Sequence, residues 1–284
     1  MFNYDYSICD LQIQMQTQQK LTLGDESQLF AASPAPPDVC ISLSGVDAVP
    51  VPSGAACNSS REQPVYRSGS QISRCSWDFF RPQTHFRTDY SLEAPNQLRC
   101  LVRNEYWTWA TRGKYLWPGI ALNTLLLHNR GMMLHASYIE HNGSGIIFTA
   151  PSGTGKSTQA QLWQQYRNAQ ILNGDKVGLR LQEVPMAHGV PFSGTSGICQ
   201  NVSLPLKAIV VLSQAPVNSV CRLSPSKAIE ALFPNLFVDR SIAEEWQLGL
   251  HLLLELVSSV PVLFLACTPD EKAVETLEQA LAAF

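Results

Sequence analysis

Hydrophobic and polar positions follow two different rhythms along this chain. In Leu11-Gln12-Ile13-Gln14-Met15, and again in Asp38-Val39-Cys40-Ile41-Ser42-Leu43, apolar and polar residues alternate. A period of two predicts strands with one face on a core and the other on solvent. Pro34, Pro36, Pro37, Pro50 and Pro52, with many Ser and Gly residues around them, break helices and favour turns. Residues 1–108 therefore read as a β-rich region, with the stretch from Pro50 to Pro64 expected to be mobile. Trp77, Phe79, Phe80, Phe86 and Tyr90 are expected to give this region a small core of its own.

From Pro118 the rhythm changes. Ile120, Leu122, Leu125, Leu126 and Leu127 supply the apolar face of a helix predicted over 118–129, with Pro118 near its first turn. Met132–Ile139 reads as a strand, and His141-Asn142-Gly143-Ser144 as a hairpin turn into a second strand over Gly145–Ala150. A helix follows from Ser157 to Arg167. Strands are predicted over 169–172, 177–184, 206–212 and 261–267, with helices over 225–233 and 243–258. Thr268-Pro269-Asp270-Glu271 opens a last helix, with Thr268 as its cap and Pro269 at its first position. Strands alternating with helices predict an α/β core over 109–284.

Composition narrows the function classes. The net charge is −3, Lys20 is the only lysine before Lys114, and there is no basic run, so a nucleic-acid partner is not expected. The eight cysteines form no CxxC pair, which removes sequence support for a zinc site. The start, Met1-Phe2-Asn3-Tyr4-Asp5-Tyr6, lacks the basic and apolar segments of a secretion signal. Apolar stretches are too short and interrupted to span a bilayer. A cytoplasmic protein with free thiols and no membrane partner is the expectation.

The chemistry concentrates in Ala150-Pro151-Ser152-Gly153-Thr154-Gly155-Lys156-Ser157, which follows a buried strand and opens a helix. Glycines there let successive backbone N–H groups turn toward phosphate oxygens, and the helix start adds its positive dipole end. Lys156 brings a point charge to the β and γ phosphates, and the Ser157 hydroxyl is a Mg²⁺ ligand in such loops. A second site should supply a carboxylate for the metal or the nucleophile, and Asp175 in Ile171-Leu172-Asn173-Gly174-Asp175-Lys176 is the best candidate; its other reading is a turn aspartate. His135, on the strand before the hairpin, lies near the γ phosphate if the two strands pair; its other reading is a structural histidine. The glycine-rich stretch 188–197 suits either a loop near nucleotide or acceptor, or a surface hairpin.

The order Leu134-His135-Ala136-Ser137, hairpin, loop strand, Ala150 to Thr158, then Asn173-Gly174-Asp175-Lys176 resembles the HPr kinase/phosphorylase group, which shares its core with phosphoenolpyruvate carboxykinases. The likeness covers about Pro118 to Phe284. It implies an α/β fold: a P-loop kinase core of the phosphoenolpyruvate carboxykinase/HPr kinase type over 109–284, behind a β-rich N-terminal region over 1–108. It implies an ATP- and Mg²⁺-dependent kinase acting on a serine hydroxyl of a peptide or small protein. In that reading Ser152, Gly153, Thr154, Gly155, Lys156, Ser157 and Thr158 hold the nucleotide. Ser157 and Asp175 hold the metal, and Asp175, His135 and Lys156 act at the transferred phosphoryl group. The HPr kinases are oligomeric, which leaves a homo-oligomer open here. They carry two adjacent aspartates at the second site, and Gly174 replaces the first, so one carboxylate must serve both duties or share them with His135. In this the chain looks more like the HPr-kinase-like enzymes of peptide natural-product clusters, which phosphorylate precursor peptides, lasso-peptide precursors among them. A small-molecule kinase on the same core and a nucleotide-hydrolysing switch are the alternatives.

Overall fold

The computed structural model describes residues 1–77 and 84–283, with the Trp77 side chain left undescribed. Phe79 and Phe80 of the aromatic group therefore lie outside the described residues. Two compact units are present, one formed by 1–128 with 239–246, the other by 129–238 with 247–284.

The first unit is built on a sheet of β1 (Phe2–Ile8), β2 (Leu11–Thr17), β3 (Val39–Val46), β4 (Ala55–Ala56), β5 (Val65–Ser68), β6 (Gln71–Trp77), β7 (Thr84–Ser91) and β8 (Ala94–Arg103). Its spatial order is β1-β2-β3-β8-β7-β6-β5-β4. The β2–β3 and β3–β8 pairs are parallel and the rest antiparallel. The alternation read in β2 and β3 is realised: Leu11, Ile13, Met15, Val39, Ile41 and Leu43 are buried while their neighbours face outward. The 50–64 stretch, expected to be mobile, contributes β4, which pairs with β5. Short helices α1 (Asp25–Gln28), α2 (Trp107–Ala110), α3 (Gly113–Ile120) and α4 (Leu122–His128) belong to the same unit. Trp117 of α3 packs edge-on to Tyr6 at 5.0 Å and donates its indole N–H to Ser27 Oγ.

The single helix expected over 118–129 is two. Pro118 sits inside α3, where it cannot donate to the carbonyl of Lys114, and the helix ends two residues later. Ala121 turns left-handed (φ 64°) and the chain restarts as α4.

The second unit contains β9 (Gly131–His141), β10 (Ser144–Thr149), α5 (Lys156–Arg167), β11 (Gln170–Asn173), β12 (Lys176–Arg180), β13 (Met186–His188), β14 (Ser203–Gln214), β15 (Ser219–Arg222), α6 (Pro225–Leu232), α7 (Ala243–Ser259), β16 (Val262–Cys267) and α8 (Glu271–Leu281), with the first turn of α7 assigned to the first unit. Two long strands organise it. Residues 131–135 of β9 pair with β12, and residues 136–141 pair with β10. Similarly, β14 begins beside β13 and continues between β10 and β16, parallel to both. Asn142 and Gly143, both at positive φ, make the tight turn between β9 and β10. Ile146, Phe148, Val210, Leu263 and Leu265 from the sheet bury against Trp163 of α5 and Val274 and Leu277 of α8. The strand expected over 177–184 stops at Arg180. Asp270, not Thr268, caps α8: its carboxylate accepts the Ala273 N–H at 3.0 Å, while the Thr268 hydroxyl is engaged with Asn218 and Asp270.

No helix among the described residues is long and apolar enough to cross a membrane.

Candidate active site

The partner switch in β9 falls between His135 and Ala136. His135 is opposite Lys176 of β12, and Ala136 is opposite Thr149, the last residue of β10. The chain leaving β10 at Thr149 enters the glycine-rich loop, and the Thr149 hydroxyl donates to the His135 carbonyl at 2.9 Å. The expected strand pairing is present, and it brings His135 beside the start of the loop.

Within the loop, Gly153 (φ 79°) and Gly155 (φ 121°) adopt conformations that L side chains rarely take. A Cβ at either would meet nothing within 4 Å among the described residues, so the loop faces open space there. The first helical hydrogen bond of α5 runs from Gln159 N–H to the Gly155 carbonyl. The N–H groups of Lys156, Ser157 and Thr158 precede it and are the orphan donors of a helix start. The side chains of Ser152, Ser157 and Thr158 are exposed, whereas Lys156 is 8% exposed. Its ammonium donates to the carbonyls of Ala150 (2.9 Å) and Pro151 (3.3 Å). Gln214, at the end of β14, donates to the Thr154 carbonyl at 3.3 Å.

The Asn173–Lys176 turn completes the cluster. Asn173 is fully buried; its Oδ1 accepts the N–H groups of Asp175 (3.2 Å) and Lys176 (3.3 Å), while its Nδ2 donates to Val190. This side-chain turn fixes the backbone that carries Asp175. The Asp175 carbonyl accepts from Ala136 N–H at 3.0 Å and from His135 Nδ1 at 2.9 Å. Its carboxylate Oδ1 is 3.5 Å from the same nitrogen, and its Oδ2 accepts from the Lys176 ammonium. Asp175 is thus a turn aspartate, as one reading had it, held against His135 and with its charge felt by Lys156 of the loop.

A side chain at position 174 would collide with Ser196, whose Oγ is 2.1 Å from the place a Cβ would take. The glycine-rich stretch divides: His188 ends β13 with Nδ1 2.7 Å from Ser203 Oγ, while Phe192, Gly194 and Ser196 come against the Asp175 turn. Sequence reasoning assigned no role to Lys176 and missed Phe237 and Gln214. The Lys176 ammonium lies 5.3 Å from the Phe192 ring and 5.2 Å from the Phe237 ring. Phe237 also meets the His135 ring edge-on at 6.5 Å.

A carbonyl only accepts, so His135 Nδ1 carries a proton and Nε2 keeps its lone pair whenever the ring is neutral. Burial, then the charge of Lys156, push the His135 pKa below its ordinary value, and Lys176 adds to this; the bond and charge of Asp175 oppose them. Burial likewise lowers the Lys156 pKa, with the Asp175 charge opposing. A depressed histidine pKa means the unfolded chain binds more protons on the acid side. The stability tied to His135 is therefore complete above the ordinary histidine range and is lost as pH falls through that range toward the folded value. Nuclear magnetic resonance titration of His135 is expected to give a midpoint below the free-histidine value. In Lys156→Met the midpoint rises, because a repelling cation is gone; an unchanged midpoint would remove Lys156 from the ring's surroundings.

The residues fit a Mg²⁺-bound nucleotide in chemical type: orphan N–H groups and an ammonium for phosphate oxygens, and hydroxyl and carboxylate oxygens of Ser157 and Asp175 for a hard cation.

Comparison with solved structures finds a Hpr(Ser) kinase/phosphatase from Coxiella burnetii, 12% identical over 53% of this chain and 96% of that one, with a TM-score of 0.32. A likeness at that score carries no argument about fold or activity. No curated protein matches the chain. Residues 121–282, more than half of the chain and including every residue of the cluster, match the family described as SynChlorMet cassette protein ScmC, and the chain belongs to that family.

Proposed function

We propose that this protein is an ATP- and Mg²⁺-dependent kinase of the HPr kinase-like, P-loop type that phosphorylates a serine hydroxyl on a peptide or small protein. The observation that supports this reading is His135 held against Asp175 and against Thr149, at the start of a glycine-rich loop whose Lys156 feels the Asp175 charge. A phosphate-binding loop alone serves hydrolases and transferases alike. A carboxylate beside a neutral imidazole adds what a hydroxyl acceptor needs: a group to take its proton and a group to orient it.

In this mechanism the loop N–H groups and the Lys156 ammonium bind the phosphate oxygens. Lys156 exchanges the carbonyls of Ala150 and Pro151 for the nucleotide. Asp175 takes the serine proton as the serine oxygen bonds to phosphorus and the bond to the leaving diphosphate breaks. His135 Nε2 holds the acceptor hydroxyl or the transferred group in line. Ser157 and Asp175 would hold Mg²⁺, which when bound neutralises charge on the phosphates. Gly174 stands where the HPr kinases that the motif resembles carry a further aspartate, and Ser196 leaves no room for a side chain there, so this chain is proposed to run the kinase direction with one carboxylate. Membership of a cassette family is compatible with a precursor peptide as acceptor.

The test offers γ-labelled ATP with Mg²⁺ to the protein together with HPr, serine-containing precursor peptides, small hydroxyl metabolites or no acceptor. Label on a peptide or protein serine is the expected result. Label on a metabolite makes the protein a small-molecule kinase, and free phosphate that is equal in every arm makes it a hydrolysing switch.

A further inference from the structure

Lys176 is the one cation of the cluster that the mechanism above leaves without a task. Its geometry is specific. It is the strand partner of His135, its side chain is 22% exposed, and its ammonium is bound to Asp175 Oδ2. Two aromatic rings from different parts of the chain flank that ammonium, Phe192 at 5.3 Å and Phe237 at 5.2 Å. Cation–π attraction of this kind holds a charge in place without supplying a competing anion. The two carboxylate oxygens of Asp175 are therefore divided: Oδ2 is tied to Lys176 and Oδ1 is directed to His135 Nδ1 at 3.5 Å.

We infer that Lys176 is a positioning residue, held between Phe192 and Phe237, which fixes the Asp175 carboxylate with one oxygen toward His135 and the phosphate loop. The inference rests on the kinase reading for its kinetic consequence, though its structural half does not. A short carboxylate side chain free to rotate presents either oxygen, or neither, to the reacting atoms. Tying one oxygen presents the other in a single direction, and misplacement of a reacting group by about 1 Å costs on the order of 100-fold in rate. Lys176 acts through Asp175, so its loss lowers turnover and leaves nucleotide binding, which belongs to the loop and Lys156, as it was.

The experiment compares wild type, Lys176→Met, Lys176→Arg, Phe237→Leu and Asp175→Asn by two readouts. Methionine keeps an unbranched apolar chain between the rings and removes the charge. In transfer kinetics, Lys176→Met is expected to lose about 100-fold in kcat with the KM for ATP unchanged. Lys176→Arg recovers most of that loss, and Phe237→Leu shows a smaller fall in kcat alone. By nuclear magnetic resonance, the His135 ring signals of Lys176→Met move toward their positions in Asp175→Asn and return in Lys176→Arg. A wild-type kcat in Lys176→Met overturns the inference, and so do His135 signals that stay at their wild-type positions. Were the wild type to transfer phosphate to no acceptor, the kinase reading would fall, and the His135 signals would decide the role of Lys176 by themselves.

Discussion

Asp175→Asn is expected to abolish most phosphoryl transfer while leaving nucleotide binding intact, and Lys156→Ala to damage both. Asparagine has the size of aspartate, and the main-chain contacts of position 175 survive the change. Its carbonyl still accepts from Ala136 and His135, and its N–H still donates to Asn173 Oδ1. What disappears is the anion tied to Lys176 and beside His135, proposed both to take the serine proton and to share Mg²⁺, so the loss falls on the transfer step, a fall of about 10²–10⁴ in kcat. Lys156 differs because its ammonium belongs to the loop itself. Without it, only the loop N–H groups and Mg²⁺ oppose the phosphate charge in the bound and in the transition state. Affinity falls, and turnover drops by a further ~10²–10³. Calorimetric titration of ATP beside transfer kinetics separates the two. Near-wild-type kcat in Asp175→Asn would remove the aspartate from the mechanism, and unchanged ATP affinity in Lys156→Ala would remove the lysine from the phosphate site.

The second large effect concerns stability. Glu245, in the first turn of α7, is fully buried. It accepts from the Arg74 guanidinium and the Tyr90 hydroxyl, and His128 Nε2 lies 3.5 Å away. Arg74 also binds Asp239 and stacks over Tyr90 at 5.7 Å. Removing one member of a buried ionic network strands its partner's charge in a low-dielectric interior, at about 3–5 kcal/mol. Against a typical stability of roughly 5–15 kcal/mol, that loss is a large fraction. Glu245→Ala is therefore expected to lower the denaturation midpoint sharply. Glu244→Ala, one residue earlier, removes only an exposed pair with Arg67 and is expected to leave the midpoint in place. Chemical denaturation of the two variants checks this, and equal midpoints would contradict the network's role.

Those adjacent glutamates illustrate what sequence pattern carries and what it does not. Both lie in the first turn of the helix predicted over 243–258. Which one is buried depends on Arg74, 171 residues away along the chain. Alternation in β2 and β3, the Asn142-Gly143 turn and the loop before α5 were legible because each is a local requirement of backbone geometry or periodicity. His135 and Asp175 were legible as candidates for the same reason: one precedes the hairpin and the other ends a short strand. Their meeting depends on β9 exchanging β12 for β10 at Ala136, a tertiary event with no local signal. Lys176 was visible in the motif, but its rings come from Phe192 and Phe237, both distant in sequence. At Pro118 the missing N–H was read as a helix start, whereas the proline lies in the last turn of α3 and the break follows at Ala121. At Thr268 the cap passed to Asp270 because the threonine hydroxyl was already engaged.

In the proposed kinase the loop from Ala150 to Ser157 holds a triphosphate with His135 and Asp175 at its γ end. Amide and histidine signals followed by nuclear magnetic resonance during titration with Mg·ATP and, separately, Mg·ADP test it most directly. The amides of Gly153, Gly155, Lys156, Ser157 and Thr158 are expected to move with both nucleotides, and the His135 ring with ATP alone. Loop amides that stay in place with both nucleotides, or a His135 ring that responds equally to the two, would contradict it.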